Sequence, residues 1–275
     1  MLSSFLLALR EGLEITLIVG ILSGALHQFK RTDLLPTIRL GVASAVAVSL
    51  LAAILLNLLG ASLEGDAEAA FEGVMMWTAA GVLTWMILWM QSRAARIKEI
   101  LHQEVGQAAR IGGLSIFLVA FVAVLREGVE LALFLTASVF TSDIAQTMAG
   151  ALVGIAAAVL IGWGIFRASI RLNVKRFFQV TSVLLIFFAA GLVAHGTHEF
   201  NEIGLIPGIV DPLWDVNGIL DENSIVGQIL RTLFGYNGDP SLSEMISYAL
   251  YFAILYLVTR PRRLGVMARQ EVSSG

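Results

Sequence analysis

The 275-residue chain has no cysteine. Disulfides, thiolate metal sites, iron–sulfur clusters and cysteine nucleophiles are therefore excluded. The absence does not identify a redox compartment. Charge is also scarce. Only 14% of residues are Asp, Glu, Lys or Arg, while 57% are hydrophobic, and the mean hydropathy is +0.82. A soluble domain carries about 25% charge and about 45–50% apolar residues, so this composition argues against a soluble globular protein and against disorder. P-loop, HExxH and GxSxG patterns are missing as well, so ATP bound by this chain is not an expected energy source.

What is present is a series of apolar runs of membrane length. Seven are read, at 2–26, 38–59, 74–91, 114–140, 148–166, 178–197 and 244–259. The first does not read as a signal peptide, because it lacks a basic leader and contains Arg10, Glu11 and Glu14. Basic residues set the orientation. Fifteen of the 18 Lys and Arg residues fall in 27–37, 92–113, 167–177, the C-terminal tail and, as Arg39, the foot of the second span. Only Arg231 falls on the opposite side, and Arg10 and Arg126 lie within spans. The expectation is an all-α polytopic membrane protein with seven transmembrane helices, its N-terminus outside and its C-terminus cytoplasmic.

The first and fourth spans carry the same charged segment. Leu9-Arg10-Glu11-Gly12-Leu13-Glu14 recurs as Leu125-Arg126-Glu127-Gly128-Val129-Glu130, and Phe5 and Leu17 recur as Phe121 and Leu133. One charge at a helix centre costs about 2.5–3.5 kcal/mol on insertion scales. Six of them require pairing and hydration to be tolerated. Glu11 and Glu14 are three residues apart and share a helix face, as do Glu127 and Glu130. Arg10 and Arg126 precede the second glutamate by four residues and neutralise it in part. Gly12 and Gly128 remove a side chain and permit close helix approach.

Because spans alternate in direction, the two copies are expected in inverted three-helix halves, 1–91 and 114–197. An extracytoplasmic loop at 198–243 and a seventh helix with its tail at 244–275 complete a single membrane domain, 1–275. Binding sites near the midplane between inverted repeats are common in secondary transporters. The expected arrangement pairs Glu11 with Glu130 on the outer side and Glu14 with Glu127 on the inner side. Four carboxylates and two arginines leave a net charge of −2, which suits a hard multivalent cation held by oxygen. A buried Arg–Glu network that only fixes helix packing is the competing reading.

At these residues the chain resembles the oxidase-coupled iron permeases, whose hallmark is Arg-Glu-Gly-Leu-Glu in the first and fourth spans. The bacterial EfeU-type branch matches in length and in seven-span layout. The resemblance extends through Phe71-Glu72-Gly73, Thr84-Trp85-Met86, Trp89-Met90, Ile170 to Asn173, Ala189 to Leu192, Glu202 with Gly204, and Phe234-Gly235-Tyr236. Val129 stands where the pattern has leucine. The resemblance implies iron uptake across the cytoplasmic membrane, with Glu11, Glu14, Glu127 and Glu130 as iron ligands and ferric iron as the permeant state, ferrous uptake staying open. It also implies an extracytoplasmic partner that oxidises or delivers iron, of haem peroxidase or cupredoxin type. Iron is then substrate, and no permanently bound cofactor and no nucleic-acid partner are expected. Alternatives are a transporter of another divalent or heavy-metal cation, a membrane-embedded carboxylate metal oxidase, and a receptor or scaffold.

Smaller signals accompany the motif. Glu72, His198, Glu199 and Glu202, with His195, mark the outer ends of the third and sixth spans. They read as an entry site for cations or as ordinary helix-end chemistry. Glu99 and His102 have a Glu-x-x-His spacing, but the pattern occurs once. Trp77, Trp85, Trp89, Met86 and Met90 read as packing and interface anchors. Gly150-x-x-x-Gly154 and Gly20-x-x-x-Gly24 read as helix-packing faces. Amphipathic surface helices are expected at 93–108 and 224–234, the second capped by Asn223 or Ser224.

Overall fold

The computed structural model describes residues 1–93, 105–108, 111–167, 174–222 and 224–260. The described residues contain no strand. Seven long helices appear where seven apolar runs were read: α1 (Leu2–Gln28), α2 (Leu35–Ala61), α3 (Asp66–Arg93), α4 (Gly113–Thr141), α5 (Ile144–Arg167), α6 (Val174–Glu202) and α8 (Leu242–Thr259), with the short α7 (Ile225–Phe234) between the last two. Most begin earlier or run on further than the apolar runs. The helical hydrogen-bond ladder continues into polar residues once they reach the interface. In α3 the extension is eight residues, with Asp66 and Glu68 in the first turn, where carboxylates complement the helix dipole.

Five helical stretches are long and apolar enough to cross a membrane by composition alone: Thr32–Ala61, Asp66–Met90, Ile144–Phe166, Arg176–Glu202 and Leu242–Thr259. The chain is a polytopic membrane protein. The two other helices of membrane length are α1 and α4, at 27 and 29 residues, and these carry the charged segments.

The packing is exchanged between the halves. Helix α1 packs mainly on α5, and α4 mainly on α2, while α3 pairs with α6 and α1 touches α4. This pattern maps onto itself when 1–91 and 114–197 are interchanged. Small residues make it possible. A Cβ added at Gly150 would meet the Met1 carbonyl and Ser4 Oγ, and one at Gly154 would lie 2.9 Å from the Leu9 nitrogen. Gly150, Gly154, Ala158 and Gly162 therefore form a groove on α5 that receives α1. A matching groove on α2, Gly41, Ala45 and Ser49, was not anticipated. It is buried, and a Cβ at Gly41 would lie 2.8 Å from the Phe117 carbonyl of α4. Gly20 meets the Phe166 ring, but Gly24 faces open space, so only half of that expected face is used.

Two apolar clusters bracket the motifs. One joins Leu7, Phe134, Ala137, Met76, Ala79, Leu83 and Leu185. The other joins Leu22, Leu26, Ile38, Ile116 and Ala120. The exposed apolar side chains of α2 and α5, such as Leu51, Leu55, Leu152 and Leu160, are what a lipid-facing surface requires. Helix α7 lies where an amphipathic helix was expected, with Ser224 Oγ accepting from Gly227 N at 3.0 Å. Of the surface helix expected at 93–108, only the helical residues 105–108 are described. Glu99 and His102 lie outside the described residues, as does most of the C-terminal tail.

Candidate functional site

Helices α1 and α4 cross at the duplicated segment, and each is wedged there against the second helix of the other half. A Cβ at Gly12 would lie 2.7 Å from Ala158 Cβ, and one at Gly128 would lie 2.8 Å from Ser49 Cβ. The motif glycines thus seat both helices by close backbone approach, as expected from their place between the carboxylates. This fixes the direction in which the flanking glutamates project.

Glu11, Glu14 and Glu127 converge. One carboxylate oxygen of each lies within 4.8 Å of the others, the one such group of three among the described residues. Glu11 is fully buried, Glu127 is 5% exposed and Glu130 8%. Both oxygens of Glu11, Oε1 of Glu14 and Oε2 of Glu127 and Glu130 have no hydrogen-bond partner among the described residues. Buried carboxylate oxygens are seldom left so, because each unsatisfied group is costly. A cluster of this kind is what oxygen ligation of a cation needs.

The arginines hold the two copies unequally. Arg126 Nε donates to Glu130 Oε1 at 3.0 Å and lies 3.9 Å from Glu127. Arg10 Nε lies 3.5 Å from Glu14, and Nη1 lies 3.9 Å from Glu11, both without hydrogen-bond geometry. Glu130 is thereby held by Arg126 outside the tight group of three. Glu127 reaches both Glu11 and Glu14, so the grouping cuts across the outer and inner pairs expected from the sequence.

Helix α3 contributes residues that the sequence reading treated as packing. Met90 Sδ accepts from Arg10 Nη2 at 3.7 Å. The Arg126 guanidinium lies 4.6 Å from the centroid of the Trp89 ring and 5.6 Å from that of Trp85. The available signal was two tryptophans four residues apart in an uncharged stretch, which places both on one helix face.

The first turns of α3 and the last turns of α6 approach through glycine. A Cβ at Gly73 would lie 3.1 Å from the Gly196 carbonyl, and Trp77 Nε1 donates to the Val193 carbonyl at 3.1 Å. Glu72 thereby comes within electrostatic range of Glu199 and Glu202, and Glu68 within range of Glu199. His198 sits 3.4 Å from Glu202 and 3.1 Å from Glu244. Glu244, buried at the start of α8, also accepts from Asn237 Nδ2 at 2.9 Å and Ser241 N at 3.1 Å. It was missed because it reads as a capping-box acid, which it also is. His195 is directed instead to the Gly191 carbonyl of its own helix, at 2.9 Å.

Comparison with known proteins gives these features a family. The profile of the iron permease FTR1 family matches residues 1–269. The chain is 34% identical over 273 residues to the ferrous iron permease EfeU of Escherichia coli O6:K15:H31 (strain 536 / UPEC), covering 98% of this chain and 99% of that one. It is 34% identical to the protein of that name from Shigella sonnei (strain Ss046), over 97% and 98% of the two chains, and 31% identical to that of Yersinia pestis, over 94% and 93%. No solved structure matches. With this match over nearly its whole length, the chain belongs to the iron permease FTR1 family of membrane transporters.

Proposed function

We propose that this protein imports iron across the cytoplasmic membrane through the carboxylate site at the α1–α4 crossing. The observation that carries the reading is the convergence of Glu11, Glu14 and Glu127 with unpartnered buried oxygens. Glu130 is the fourth ligand, recruited when Arg126 releases it. The alternative of a packing network is disfavoured, because packing alone would give those oxygens hydrogen bonds, whereas Arg10 meets Glu11 and Glu14 only at 3.9 and 3.5 Å.

The membrane frame of the proposal is seven spans, N-terminus outside, with α1–α3 and α4–α6 as inverted halves. The exchange-symmetric packing and the basic residues of 27–37 and 92–113 support it. Iron first meets Glu72, His198, Glu199 and Glu202 at the outer end. It then passes the apolar constriction of Leu7 and Phe134, both fully buried, and binds the glutamates. On the cytoplasmic side of the glutamates in this frame lies the buried apolar cluster of Leu22, Ile116 and Ala120. A membrane potential adds about 2.3 kcal/mol per charge per 100 mV to cation entry. An extracytoplasmic partner that oxidises or delivers iron would dock at the outer end.

The relatives are named for ferrous iron, whereas an all-oxygen site also suits the harder ferric ion. Uptake into proteoliposomes tests both, with ferrous iron kept reduced in one arm and chelated ferric iron in the other. Native protein transports in one arm, and Glu11→Gln and Glu127→Gln lose uptake in that arm. Normal transport by both variants would remove the site assignment.

A further inference from the structure

Between Glu72 and Arg93, α3 carries no charge, yet it is the helix that touches both motif arginines. Adjacent residues point about 100° apart around a helix. Trp89 therefore reaches Arg126 of α4 while Met90 reaches Arg10 of α1. Trp85, one turn earlier, completes a face on which the Arg126 guanidinium rests, and the two indoles lie 6.4 Å apart, tilted by 32°.

This arrangement meets a requirement of the site. A cation bound by Glu130 and Glu127 competes with Arg126 for the same oxygens. The displaced guanidinium then lies near the middle of its helix, with water scarce around it. An aromatic face accepts a guanidinium without being an anion, so it does not compete for the metal.

We propose that Trp89, assisted by Trp85, sets iron affinity by holding the Arg126 guanidinium when the glutamates take the cation. Trp89 is a positioning residue, because it acts on the metal only through Arg126. The proposal rests on the carboxylate site described above. Replacing the ring by an aliphatic side chain leaves Arg126 with Glu130 as its remaining strong partner, and the cation must displace it at greater cost.

The test is the concentration dependence of iron uptake in proteoliposomes for native protein, Trp89→Leu, Trp89→Phe, Arg126→Gln, the Trp89→Leu/Arg126→Gln double variant and Glu127→Gln. Thermal unfolding in detergent identifies the folded variants. Trp89→Leu raises KM by about five- to tenfold, the scale of a partly desolvated cation–π contact, with the maximal rate little changed. Trp89→Phe recovers most of the affinity. In the Arg126→Gln background, Trp89→Leu has no further effect on KM. An unchanged KM in folded Trp89→Leu overturns the proposal, and so does an equal rise with and without Arg126. If Trp89→Leu does not fold, Trp89→Met, alone and with Arg126→Gln, takes its place: a KM rise that disappears in Arg126→Gln supports the proposal, and no rise overturns it. Loss of uptake in Glu127→Gln alongside an unchanged KM in the Trp89 variants removes the platform and leaves the site. Normal uptake in Glu127→Gln removes both.

Discussion

Gly12 of α1 faces Ala158 of α5 so closely that a methyl group on the glycine would lie 2.7 Å from the alanine Cβ. Gly12→Ala must therefore push the two helices apart and rotate the carboxylates that flank the glycine. A cost of about 1–3 kcal/mol is expected for such overpacking, read as a lower unfolding temperature in detergent. Uptake falls with it. Ala158→Gly in the same chain restores part of both, because it returns the missing space. Failure of this second change to rescue Gly12→Ala would mean that the contact does not position the site.

Glu130 separates stability from transport. Its carboxylate neutralises Arg126 at 3.0 Å, and an unpaired charge at a helix centre costs about 2.5–3.5 kcal/mol. Glu127 at 3.9 Å and the Trp89 ring still offset part of the charge, so Glu130→Gln is expected to be destabilised by less than that amount and to transport poorly. Adding Arg126→Gln removes the charge left without its hydrogen-bonded partner. The double variant should regain thermal stability without regaining uptake, and recovery of uptake would show that Glu130 serves packing alone.

Metal binding should itself stabilise the fold. A ligand at one hundred times its dissociation constant adds about 2.7 kcal/mol. Iron, or gallium(III) as a redox-inert stand-in for ferric iron, is expected to raise the unfolding temperature of the native chain. Glu11→Gln should show a much smaller rise, since both oxygens of Glu11 are free of hydrogen bonds among the described residues.

Leu7 and Phe134 belong to one fully buried cluster beside the carboxylates. Phe134→Ala removes the larger side chain of this constriction. The expected outcome is access from outside, measured by reaction of a thiol-specific reagent with a cysteine placed at Leu7. The native chain has no thiol to confuse the signal. Equal protection of that cysteine with and without Phe134 would place the constriction elsewhere.

Much of this was legible in the sequence, for a physical reason. Membrane helices announce themselves through apolar length, and a charge inside one is expensive enough to signal function. Hence the seven helices, the motif glutamates and the close approach at Gly12 and Gly128 could all be read. Partner identity was less legible. That Ser49 faces Gly128, that Met90 meets Arg10 and that Glu244 meets His198 depend on helix rotation and tilt, which apolar periodicity leaves free. The unequal grip of Arg10 and Arg126 was hidden for the same reason. The two segments are nearly identical, and the difference lies in what α3 presents to each.

The crossed packing of α1 on α5 has a consequence during synthesis. When α1 leaves the ribosome, its charged face has neither of its eventual neighbours, since α4 begins at Gly113 and α5 at Ile144. At roughly 5–20 residues per second, Arg10, Glu11 and Glu14 wait on the order of ten seconds before the helix that seats them exists. For that interval the nascent chain is a membrane protein with three charges and no site. Variants that weaken the Arg10–Glu14 pair should therefore be lost to insertion failure and proteolysis before transport can be measured.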